Sequence, residues 1–83
     1  MVRDINSTSI IVRPVSGGQD MVIRVYPYEH LSVIRQQVQL RIGPTMESSK
    51  LMCNGEELSD DLTLNDYSLD NYQILMIEIF KKN

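Results

Sequence analysis

An Asn54-Gly55 pair leads into Leu58-Ser59-Asp60-Asp61-Leu62-Thr63-Leu64-Asn65-Asp66-Tyr67-Ser68-Leu69, and an apolar run over 74–80 follows. Asn-Gly suits the positive φ angles of a tight hairpin turn. Leucines and a tyrosine are then set among Ser, Asp, Asn and Thr, residues that bend the chain through local hydrogen bonds. Few folds accept that order. A hairpin ends, the chain makes a compact crossover that buries leucines, and a last strand enters the middle of a sheet.

The chain before this stretch supplies the rest of the sheet and one helix. Residues 1–8 have no period and read as a linker, which leaves a domain over 9–82. Ile10-Ile11-Val12-Arg13 is short and β-branched, a strand that Pro14 ends. Ser16-Gly17-Gly18-Gln19-Asp20 is a flexible turn. Met21-Val22-Ile23-Arg24-Val25-Tyr26 then alternates, with Met21, Ile23 and Val25 on one face and Val22, Arg24 and Tyr26 on the other. Pro27 stops that ladder because it has no N–H to donate. Leu31, Ile34, Val38 and Ile42 form one stripe of a 3.6-residue period, a helix that Gly43 and Pro44 end. Glu29 is expected to lie against its positive end. Lys50-Leu51-Met52-Cys53 is a third strand, Glu57-Leu58 returns briefly, and 64–67 reads as one helical turn. In the last strand Leu75, Ile77 and Ile79 share one face, and Met76, Glu78 and Phe80 the other. The order is ββαββ. The expected class is α+β, a mixed sheet of four to five strands packed on one helix. The expected core is Ile10, Val12, Met21, Ile23, Val25, Leu31, Ile34, Val38, Leu51, Leu58, Leu64, Leu69, Leu75, Ile77 and Ile79.

Composition narrows the function. The 83 residues suit one small domain. The net charge of -3 hides an asymmetry. Residues 1–50 carry six Lys/Arg against four Asp/Glu, whereas 51–80 carry seven acids and no base. That half would repel a phosphate backbone, so no nucleic-acid partner is expected. No apolar run reaches a membrane span, so no membrane partner is expected either. One cysteine excludes an internal disulfide framework and suits a reducing compartment, the cytoplasm or nucleus. Asn6-Ser7-Thr8 matches the glycosylation pattern, but no secretory signal accompanies it.

Catalytic and cofactor chemistry find little to work with. Cys53 needs a nearby base, and the single histidine, His30, belongs at the helix start. One Cys and one His cannot make an ordinary zinc site. Asp60 and Asp61 read as a polar turn rather than an acid/base pair. Gly17-Gly18 lacks the Gly-Lys-Ser/Thr of a phosphate loop. The expectation is a non-catalytic monomer without cofactor or metal.

Taken together, Val25-x-Pro27, the stripe Leu31/Ile34/Val38, Gly43, Leu51, Gly55, Leu58-x-Asp60, Thr63-Leu64-x-Asp66-Tyr67, Leu69 and Leu75-x-Ile77-x-Ile79 make the chain resemble the ubiquitin family over roughly 9–82. The match runs without a gap from Pro27 onward, with one extra residue in the first hairpin loop. The resemblance implies a β-grasp fold and a Tyr67 hydroxyl tied to nearby backbone. It also locates departures. Conjugating members end in an Arg-Gly-Gly tail; Lys82-Asn83 stand at the matching positions and no Gly-Gly follows, which implies a non-conjugated domain. A lysine used for chain building corresponds to Glu56.

The family's recognition face is the exposed side of its sheet, and matching positions here are Met52, Met76 and Glu78, with Lys50 at the rim and Phe80 in place of an arginine. The expected partner-binding residues are Met52, Met76, Phe80, Lys50, Glu78, Arg13 and Arg24, flanked by Ile11 and Val22. Methionine is an adaptable contact residue and an exposed aromatic a candidate anchor. The expected partners are proteins: ubiquitin receptors, proteasome subunits or domains of a parent protein, with a ubiquitin-specific protease the favoured parent. Two other readings compete. One is an intramolecular domain packed on its parent enzyme. The poorer one is a Ras-association-like module, which needs a basic edge near the first two strands.

Overall fold

Alternation writes the first hairpin. In a computed structural model describing residues 7–82, β1 (Thr8–Pro14) pairs antiparallel with β2 (Met21–Val25), with Ile10 opposite Ile23 and Val12 opposite Met21. The chain continues through α1 (Ser32–Ile42), β3 (Met46–Cys53), β4 (Glu56–Glu57) and β5 (Ile74–Lys81). The five strands form one sheet in the order β2-β1-β5-β3-β4. β5 enters beside β1 in parallel and β3 in antiparallel register, so the last strand is central, as the crossover required.

The helix lies on one face of this sheet. Leu31, Ile34 and Val38 are buried against Ile10, Val12, Ile23, Val25, Leu51, Leu75 and Ile77. Met21, Leu69 and Ile79, expected inside, are only partly buried and pack on the margin of this core. Met46 and Cys53 are buried members the periodicity did not indicate. Among the described residues every buried side-chain nitrogen or oxygen has a hydrogen-bond partner.

The structure departs from expectation at several points. β1 begins at Thr8, which pairs with Val25 and is buried, so the expected linker is too long at its end; its residues 1–6, and Asn83, lie outside the described residues. β3 begins at Met46 rather than Lys50. The polar Glu47-Ser48-Ser49 masks the strand, and a register shift between Met46 and Ser48 turns Met46 into the core. Ser49 is buried there as the acceptor of Arg35 Nε at 3.1 Å.

Glu29 is the third correction. Its Oε1 accepts the Tyr26 N–H at 2.8 Å, and its own N–H donates to the Tyr26 carbonyl. It closes the turn around Pro27 instead of capping the helix. The helix has no side-chain cap and no acid in its first turn. The crossover takes that place: Leu31 N–H donates to Leu62 C=O at 2.9 Å, His30 bridges Thr63, and Asn65 N–H donates to Pro27 C=O. Arg35 also pairs with Asp60, tying the helix to the same segment.

The crossover is held by its own short-range bonds. Thr63 and Asp66 exchange side-chain-to-backbone hydrogen bonds. The expected helical turn is present as Tyr67 N–H to Leu64 C=O and Ser68 N–H to Asn65 C=O. Tyr67 Oη accepts the Ser59 N–H at 2.8 Å, the backbone tie the resemblance implied. Leu58 and Leu64 are buried, while Leu62 is exposed.

At the other helix end Gly43 adopts φ 96°, ψ -165°, and its N–H donates to Gln39 C=O at 2.8 Å. That region of backbone space is essentially restricted to glycine. A Cβ there would meet nothing within 4 Å, so any cost is in the backbone alone. Gly43→Ala is expected to destabilise by about 1–3 kcal/mol, measured as a drop in the urea midpoint at unchanged m-value.

Candidate functional site

Strand parity decides which side chains face away from the helix. On β5 the odd residues Leu75 and Ile77 are buried, so Ile74, Met76, Glu78 and Phe80 point outward. On β1 the same logic sends Ile11 and Arg13 outward, on β2 Val22 and Arg24, and on β3 Lys50 and Met52. All seven sequence-predicted residues therefore share the outer face of the sheet.

Register then shows which of them adjoin. Met52 and Met76 are directly paired, with Arg13 on the far side of Met76 and Glu57 on the far side of Met52. Directly opposed side chains in a sheet stand close enough to act as one surface. The next row is Lys50 opposite Glu78, and beyond it Phe80 opposite Ser48. Phe80 is thus four residues along the strand from Met76, roughly 13 Å away, with a charged pair between them. The two methionines and the phenylalanine are not one contiguous patch.

In the opposite direction the surface stays apolar. Val22, Ile11 and Ile74 form a row across β2, β1 and β5. Val22 is 52% exposed and Ile74 40%. The apolar band therefore runs Val22, Ile11, Ile74, Met76, Met52. Ile74 was missed as a site residue. Its even number, shared with Met76, was the available signal, but only the parallel β1–β5 pairing brings it beside Ile11.

The charged members are partly committed. Arg13 donates through Nε and an Nη to both carboxylate oxygens of Asp20, at 3.0 and 2.9 Å. The guanidinium holds the Asp20 carboxyl below its ordinary value, and Asp20 raises Arg13. The pair's stabilisation is present above the ordinary carboxylate pKa and fades as pH falls through the lowered one. Both groups are solvated, so the effect is small. Arg24 donates to Ser7 Oγ at 2.7 Å on the edge strand. Arg13 is therefore shared with Asp20 of its own hairpin. Lys50 and Glu78 stand opposite each other and balance in charge.

Elsewhere the surface offers less. Cys53 is buried, and Gln73 Nε2 lies 3.7 Å from its sulfur. Among the described residues no group of three His, Cys, Asp or Glu is arranged to hold a metal ion. Among the described residues no helix is long and apolar enough to cross a membrane.

Comparison with known proteins agrees with this geometry at the level of family. No curated protein gives a match. The model of the family described as "Ubiquitin family" matches residues 10–81. That span takes in the helix and all five strands but for Thr8 and Ser9 at the start of β1, and with a mixed five-stranded sheet grasping one helix it places this chain in the ubiquitin family.

Proposed function

We propose that this ubiquitin-like domain is a non-catalytic, non-conjugated protein-interaction module that binds through the outer face of its sheet. The observation that carries the reading is the half-buried pair Met52 and Met76, continued through Ile11 to the exposed Ile74 and Val22 in one apolar band. Such bands on soluble domains mark interaction sites. Lys50, Glu78 and Arg24 supply a polar margin, and Phe80 lies beyond that margin as a separate contact. Lys82 and Asn83, at positions where conjugating members carry Arg and Gly, favour a domain that is not transferred to substrates. We place it in a larger protein of the ubiquitin system, a deubiquitinase by preference. That setting rests on the habits of the family rather than on a residue. So small a patch gives affinity on the order of micromolar by itself.

The test is an NMR titration of the methionine methyl groups with ubiquitin receptors, proteasome subunits and segments of a parent protein. Met52 and Met76 are expected to shift with an outside receptor. Met76→Ala is expected to weaken that binding by about 1–2 kcal/mol, roughly fivefold to thirtyfold, without lowering the melting temperature. Shifts with parent segments alone would make the domain an intramolecular packing unit. Shifts confined to residues 56–70 would move the site to the acidic side.

A further inference from the structure

We infer that Asn54 is a site of spontaneous backbone-assisted deamidation, and that the product alters the margin of the sheet face. The backbone nitrogen of Gly55, once deprotonated by hydroxide, attacks Asn54 Cγ. The new C–N bond closes a five-membered succinimide, and the side-chain nitrogen leaves as ammonia. Water then opens the ring at one carbonyl to give aspartate or at the other to give isoaspartate. The net change is water in and ammonia out, with no oxidant or reductant.

The three asparagines among the described residues differ in how their reacting groups are held. At Asn71 the side-chain Oδ1 accepts the Ser9 N–H at 2.9 Å, and the following amide, Tyr72 N–H, donates to Ser9 C=O at 2.6 Å. Electrophile and nucleophile are both tied to β1. At Asn65 the following amide, Asp66 N–H, donates to Thr63 Oγ1 at 3.2 Å. At Asn54 no hydrogen bond among the described residues engages either the side-chain amide or the Gly55 N–H.

Local structure adds to this freedom. Asn54 and Gly55 are both exposed, at φ 53° and 83°. Gly55 has no side chain to shield its nitrogen, and the space a Cβ would occupy is open. The turn must relax before the ring closes, within the span that the Leu58 N–H to Leu51 C=O bond at 2.8 Å closes off. β4 is an edge strand of two exposed residues, held by the pairs Met52–Glu57 and Cys53–Glu56. Segments with few buried contacts open at low cost.

The consequence falls on the proposed binding face. Asn54 and Gly55 share a shallow groove with Tyr72, Ile74 and Met76. Either product puts a carboxylate there. Isoaspartate also adds a carbon to the main chain inside the turn, so Met52 and Glu57 no longer oppose each other. This consequence rests on the sheet-face reading, whereas the chemistry of Asn54 does not.

The experiment is peptide mass mapping of the full chain after incubation at mildly alkaline pH, in native buffer and in denaturant. In native buffer the peptide bearing Asn54 is expected to gain the amide-to-acid mass, with a rate roughly tenfold or more above those bearing Asn65 and Asn71. An opening cost of about 1.4 kcal/mol at the tied sites already supplies that factor. In denaturant the other two are expected to begin converting. Asn54→Gln, which needs a six-membered ring, is expected to lose the product. An Asn54 that converts in denaturant but not in the native chain would overturn the inference, as would native Asn71 converting at the same rate. Asn54→Asp is expected to shift the Met76 methyl signal; an unmoved signal would remove the consequence for the binding face while leaving the mass-mapped chemistry in place.

Discussion

Leu75→Ala is expected to unfold much of this domain at physiological temperature. Leu75 is 0% exposed, lies on the central strand β5, and pairs in register with Val12 of β1. Its side chain sits where the helix stripe meets the sheet. Truncating such a leucine costs about 2–5 kcal/mol, the lost transfer free energy plus the cavity left behind. A domain of this size has roughly 5–10 kcal/mol of net stability. One substitution therefore removes a large fraction of it. Chemical denaturation followed by far-ultraviolet circular dichroism measures the loss. A cost below about 1 kcal/mol would mean that the site collapses around the gap, and that β5 is not the strand on which the core is built.

Leu64→Ala and Leu62→Ala are expected to part company by several kcal/mol, although the two leucines stand two residues apart. Leu64 is 0% exposed and belongs to the core, whereas Leu62 is 40% exposed. The backbone explains the difference. Leu62 contributes its carbonyl to the helix start, accepting the Leu31 N–H, and leaves its side chain outside. Leu64 sits at the head of the turn that Tyr67 and Asp66 close, and its side chain is buried in the core cluster. Leu64→Ala is expected to cost about 2–5 kcal/mol, and Leu62→Ala about 0.5 kcal/mol. Urea midpoints of the two variants decide it. Equal costs would mean that the crossover is held by a general apolar cluster instead of one buried anchor.

Much of this arrangement was legible before any coordinates. The helix stripe Leu31, Ile34 and Val38 faces the core because a 3.6 period leaves a polar side for water and an apolar side for the sheet. The parity of β5 placed Met76, Glu78 and Phe80 outward for the equivalent two-residue reason. Asn54-Gly55 specified its own turn, since both residues tolerate positive φ. Met46 was hidden because Glu47, Ser48 and Ser49 break the alternation, and the buried Ser49 is tolerated only by its bond from Arg35. Glu29 was misplaced because a carboxylate near a helix start has two amides within reach, and local sequence does not say which one the turn presents.

Each strand's faces and the stops at Pro27 and Gly43 followed from order and periodicity along the chain. Those are local properties, set by dihedral limits and by which side of an element is apolar. The shape of the candidate site did not follow. Whether Met76 neighbours Met52, whether Ile74 meets Ile11, and whether Lys50 and Glu78 separate Phe80 from both are questions of register between strands distant in sequence. A shift of a single pairing would rearrange them, and that pairing is chosen by how the whole core packs, not by any one segment.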